Sequence, residues 1–111
     1  GDVYKRQALE YTVNDDLAQG TDHQHLANGV SNDNDGSLSG ELYLFNPSST
    51  TFIKHFIATV NFYEAAASRM SVNHFTAGYF NTTSAIDEIQ FRMASGNIDS
   101  GTFKLYGIKD S

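Results

Sequence analysis

Residues 52–63 read Phe-Ile-Lys-His-Phe-Ile-Ala-Thr-Val-Asn-Phe-Tyr, and this stretch decides the fold class. Side chains on a strand point alternately to two faces. With that period, Phe52, Phe56, Ala58, Val60 and Phe62 share one side, while His55, Thr59 and Asn61 share the other with Ile53 and Ile57. β-Branched and aromatic residues dominate it, as on a pleated surface. A strand this long is expected to bend or bulge.

The same alternation extends in both directions. In residues 41–45, ELYLF, Leu42 and Leu44 face one way, and Tyr43 and Phe45 the other. Asn46-Pro47-Ser48-Ser49 follows as a turn, because Pro47 has a fixed φ and no amide donor. Glu64-Ala65-Ala66-Ala67 has helical propensity, but an isolated helix needs about 12 residues, so a hairpin connection is expected there. Residues 70–80 then alternate Val72, His74, Thr76 and Gly78 against Asn73, Phe75, Ala77 and Tyr79. After a polar turn at 81–84, strands are expected at 86–93 and 102–109, with Phe103 and Leu105 inward. Gly96 and Gly101 bracket the loop between them, where positive φ is expected, and Gly107 suggests a bulge or a close backbone approach. Five or six such strands predict an all-β chain, an antiparallel jelly-roll-like β-sandwich. No strands alternate with long helices, which excludes a nucleotide-binding α/β fold.

Composition narrows the class further. The 111 residues are 40% hydrophobic and 18% charged, sufficient for a globular core. Seven Lys and Arg stand against 13 Asp and Glu, so the net charge of −6 repels nucleic acid and anionic lipid. No apolar run approaches the roughly 18 residues of a membrane helix. Cysteine is absent, which removes disulfides, thiolate metal sites and cysteine nucleophiles.

Two segments stand apart. Residues 1–7, GDVYKRQ, back-translate to the end of a transposase adapter used in sequencing libraries, and the first methionine is Met70. These seven residues are therefore expected to be foreign to the fold. Residues 8–111 are expected to be a β-sandwich domain lacking N-terminal strands. Residues 14–37 hold Asp15, Asp16, Asp22, Asp33 and Asp35 with no Lys or Arg. A solvated connection is expected there, with a short strand near residues 25–27.

Three groups of residues resemble chemical sites. Ser31-x-Asp33-x-Asp35-Gly36 has the spacing of a calcium loop, but Leu42 stands where the bidentate Glu belongs. His23, His25, His55 and His74 are imidazole candidates for Zn or Ni, with nothing to fix their proximity. Neither group is assigned a metal. Asp87 and Glu88, on a strand, would point to opposite faces and could not flank one bond. No Gly-x-Ser-x-Gly, His-Glu-x-x-His or phosphate-cradling motif occurs. No catalytic residue and no cofactor is assigned.

GELYLFNPSSTT at 40–51 continues into FIKHF, and AGYFNTTSAIDEIQF at 77–91 leads into ASGNIDSGTFKLYGI at 94–108. Together these segments resemble a family of C-terminal β-sandwich domains in tail and other appendage proteins of tailed bacteriophages, common in marine metagenomes. The resemblance covers about residues 17–108. It implies a non-enzymatic virion structural domain, located in the phage particle, contributing to host attachment and assembled as a homotrimer. It carries no catalytic residues.

Two other functions compete with this expectation. A carbohydrate-binding, lectin-like module would stack host surface glycan on exposed aromatics such as Tyr43, Tyr79 and Tyr106, beside Asp33 and Asp35. A glycan-degrading enzyme fragment would need a cleft with paired carboxylates. Neither nucleic acid nor membrane insertion is expected.

Overall fold

The computed structural model describes residues 23–33, 35–64 and 70–108. The stretch 1–7 and residues 14–22 and 34 of the acidic segment 14–37 lie outside the described residues. Three strands form one antiparallel meander: β1 at Leu38–Leu44, β2 at Lys54–Tyr63 and β3 at Ser71–Phe80, in the order β1-β2-β3. No helix occurs among the described residues. The chain is all-β there.

The alternation in β2 is realised in full. Lys54, Phe56, Ala58, Val60 and Phe62 are buried, while His55, Ile57 and Asn61 are exposed. Burying Phe56, Val60 and Phe62 contributes about 1.5–3 kcal/mol each. The partners of these residues complete the inner face: Leu42 and Leu44 from β1, and Val72, His74, Thr76 and Gly78 from β3. Gly78 is a packing requirement, since a Cβ there would stand 2.7 Å from the Phe56 ring. Beside it, the rings of Phe56 and Phe80 lie 5.3 Å apart. Pairing runs one-to-one from Lys54↔Phe80 to Tyr63↔Ser71 and from Leu38↔Phe62 to Leu44↔Phe56. The expected bulge is therefore absent from β2: β3 pairs with its whole length and β1 with residues 56–62, in neither case with an extra residue.

The turns follow from side-chain chemistry. Asn46 takes a positive φ of 48°, and its carbonyl accepts from Ser49 N at 3.1 Å. The hydroxyl of Ser49 then accepts from Thr51 N and Phe52 N, so one side chain satisfies two turn amides. Between β2 and β3, Glu64 N donates to Met70 O at 3.0 Å and closes the hairpin. On the other side of β2, Ser31 N donates to Tyr63 O at 2.9 Å and Val30 bridges Glu64. The acidic connection thus docks through Val30 and Ser31, not through the short strand expected at 25–27.

Four expectations at the sheet's margins are corrected. Phe52 is 68% exposed and lies before the strand. The fully buried residue at that end is Lys54, whose Nζ donates to Thr82 O at 3.1 Å and Ser84 O at 2.6 Å. Residues 86–93 and 102–108 form no strand, and nothing packs close to Gly107. Of the two bracketing glycines, only Gly96 has positive φ, at 76°. Strand-type alternation sets which faces match, but a strand also needs a backbone partner, and these segments have none among the described residues. They are tied down elsewhere: Ile86 N donates to Pro47 O at 2.8 Å, and Phe91 stacks on Phe103 with centroids 5.1 Å apart.

Candidate ligand-binding face

The outer face of the sheet is built from the residues that β2's alternation turns away from the core. Register arranges them in rows. Ser39, Asn61 and Asn73 form one row, followed by Glu41, Thr59 and Phe75, and then Tyr43, Ile57 and Ala77. His55 and Tyr79 follow, with ring centroids 6.2 Å apart. One end is therefore polar and the other aromatic. Phe75 is 62% exposed and Tyr79 56%.

At the polar end lies a groove of about 300 Å³, lined by Asp35, Ser37, Ser39, Asn61, Phe62, Tyr63 and Ser71. The loop that walls it is fixed by its own hydrogen bonds. Asp33 N donates to Ser31 Oγ at 3.1 Å, Gly36 N to Asp33 O at 2.8 Å, and Tyr63 N to Ser37 O at 3.1 Å. A Cβ on Gly36 would approach Ser31 O to 2.6 Å, so the turn closes only with glycine. These contacts bring Asp35 and Ser37 to the end of β2.

The residues singled out from sequence are distributed as follows. Tyr43 and Tyr79 share the outer face, on either side of β2. The Tyr43 hydroxyl donates to Glu41 Oε2 at 3.2 Å. That hydrogen bond, then the charge of the same carboxylate, then desolvation, raise the phenol above its usual value of 10.0. Asp35 lines the groove, and Asp33 is exposed on the same loop. Tyr106 lies on the irregular C-terminal segment, not on the sheet, and is 76% exposed.

The metal-like patterns do not converge. Ser31 Oγ in the calcium-like loop is occupied by the Asp33 amide. His55 and His74 point to opposite faces of the sheet, and His23 Nε2 lies 3.1 Å from Gln90 Oε1. Among the described residues, no three His, Cys, Asp or Glu side chains gather as a metal site. Asp87 and Glu88 are exposed on the segment that lacks a strand, so the opposite-face argument does not apply to them.

Sequence reasoning missed Ser37, Ser39, Asn61, Tyr63 and Ser71. They come from separate stretches of the chain, and strand register together with the Tyr63 N–Ser37 O hydrogen bond joins them. The available signal was the outward position of Asn61 in β2. Comparison with known proteins finds no matching family, no matching curated protein and no matching solved structure.

Proposed function

We propose that the chain is a non-enzymatic structural domain of a tailed-bacteriophage tail or fibre appendage, located in the virion and assembled as a homotrimer. The observation that supports this reading is the C-terminal segment. Phe103, Leu105, Tyr106 and Ile108 are 65–93% exposed, in a stretch whose alternation suits a strand. Contiguous exposed apolar residues are a liability in a monomer and a resource in an assembly. Further copies of the chain supply the missing backbone partners, and the second sheet of a jelly-roll-like sandwich forms on association. The three-fold arrangement is what the appendage resemblance implies, and a closed ring leaves no open edge for unlimited growth.

Sedimentation velocity on the full chain tests the reading. A trimer is expected, and the double variant Leu105→Asp, Ile108→Asp is expected to sediment as a monomer. A wild-type monomer across the soluble concentration range would overturn the assembly role. A closed state of another order would overturn the three-fold arrangement.

A further inference from the structure

We propose that residues 102–108 of a second copy lie as a strand across the outer face of the sheet, with Lys104 over Glu41. The inference rests on the self-association proposed above and names the two surfaces that meet.

The first surface is a continuous apolar patch. Tyr43, Ile57 and Ala77 form its central row, and Phe75 stands beside it in the row of Glu41 and Thr59. On the other side, Phe45 N donates to His55 O, which places Phe45 in the row of His55 and Tyr79. Within the folded chain, Tyr43, Phe45, Ile57, Phe75 and Tyr79 remain 36–62% exposed. The chain's own C-terminal segment therefore leaves them uncovered. It is anchored elsewhere, by Lys54 from an inward position to Thr82 O and Ser84 O, and by Ile86 N on Pro47 O. Contiguous apolar patches of this kind mark interaction surfaces.

The second surface is the C-terminal segment. As a strand it carries Lys104, Tyr106 and Ile108 on one side and Phe103 and Leu105 on the other. Phe103 already stacks on Phe91, so the Lys104 side is the one left for a partner. Its spacing matches the patch. Ile108 lies four residues beyond Lys104, as Phe45 lies four beyond Glu41, about 13 Å in either strand. Running in the direction of β1, the segment sets Lys104 on the Glu41 row, Tyr106 on the Tyr43 row and Ile108 on the Phe45 row. Sheets that pack face to face commonly keep their strands aligned in this way.

Charge selects this occupant over others. Glu41 is exposed and is the one carboxylate in these three rows, and Lys104 is the one charged residue in 102–108. The segment 86–93 has the same alternation, but its Asp87, Glu88 and Arg92 sum to −1, and Glu41 repels it. Two outer faces meeting each other would cover both Glu41 side chains with no Lys or Arg in these rows to pair them. A face that meets a tail is a heterologous contact, and repeated around an axis it closes into a ring.

The chain has no cysteine, so Thr102→Cys gives a single thiol for a nitroxide tag. Isotope-labelled wild type is mixed with unlabelled, tagged chain and exchanged by dilution and reconcentration, so that its amides report only contacts between copies. Broadening is expected at Glu41, Ile57 and Phe75. By sedimentation equilibrium, Glu41→Lys and Lys104→Glu should each weaken self-association by at least about tenfold, and the double variant should regain most of it. Both side chains are exposed, and unchanged inner-face amide shifts would report an intact sheet. Should either swap disturb the fold, the tag carries the test alone. The inference fails if the assembled chain leaves those amides sharp, or if the double variant associates no better than the single ones. Broadening from an Asn61→Cys tag with Thr102→Cys silent would mean that two sheets meet face to face. Broadening only in labelled chains that carry the tag themselves would give the face to the chain's own segment. An assembly without these contacts removes this inference alone, and a monomer removes the assembly role with it.

Discussion

Lys54 occupies an inward position in β2, where its neighbours are Phe56 and Ala58. Its chain is long enough to cross the sheet's end and reach the carbonyls of Thr82 and Ser84. The amine is thus a tether between the sheet and the C-terminal segment. Thr76 presents the opposite case, because its buried Oγ1 has no hydrogen-bond partner. The two residues should respond to apolar replacement with opposite signs. Lys54→Met is expected to release the 82–86 segment, with faster amide exchange at Ser84 and Ile86 and a loss of about 1 kcal/mol. Thr76→Val keeps the shape and removes an unsatisfied hydroxyl, so stability should rise by about 1 kcal/mol. Denaturant midpoints with hydrogen exchange measure both. A Thr76→Val variant less stable than wild type would mean that the hydroxyl has a partner after all.

At the scale of the strand, the register of β1 on β2 rests on a close backbone approach. Gly40 pairs with Val60, and a Cβ at Gly40 would stand 2.5 Å from Thr59 O and 2.9 Å from Val60 Cα. Backbone cannot swing aside as a flexible side chain can. Gly40→Ala should therefore cost about 1–3 kcal/mol, the usual penalty of overpacking. Gly101→Ala, with nothing within 4 Å, should stay within about 0.5 kcal/mol of wild type. Equal urea midpoints for the two variants would refute the β1–β2 register. The three strands themselves were legible in the sequence, because period-two alternation and the Asn46-Pro47 turn are local signals. Lys54 was not, since a cation at an inward position is explained only by carbonyls some thirty residues away. The segments at 86–93 and 102–108 carry the same alternation as β3 yet form no strand. Alternation encodes a face, and the partner must come from elsewhere. The groove was legible only at Asp35, for its other walls are assembled by register.

At the scale of the molecule, the described sheet buries one face and leaves much apolar surface elsewhere. The radius of gyration is 16.0 Å, whereas a compact domain near this length has about 13 Å. Leu105 is 93% exposed and Ile108 82%. Association that covers such surface stabilises the folded state in proportion to the logarithm of free chain concentration. The melting temperature of the full chain should therefore rise with protein concentration, whereas that of a self-contained monomer would not. Leu105→Asp with Ile108→Asp should lower the melting temperature and flatten this dependence, because a carboxylate cannot be covered cheaply by an apolar partner. The sheet's own unfolding should persist in that variant, since Phe56, Ala58, Val60 and Phe62 are buried within one chain. Scanning calorimetry over a hundredfold concentration range separates the cases. A wild-type melting temperature independent of concentration, reached reversibly, would show that the exposed C-terminal residues are tolerated in solution and that no second chain is needed to complete the fold.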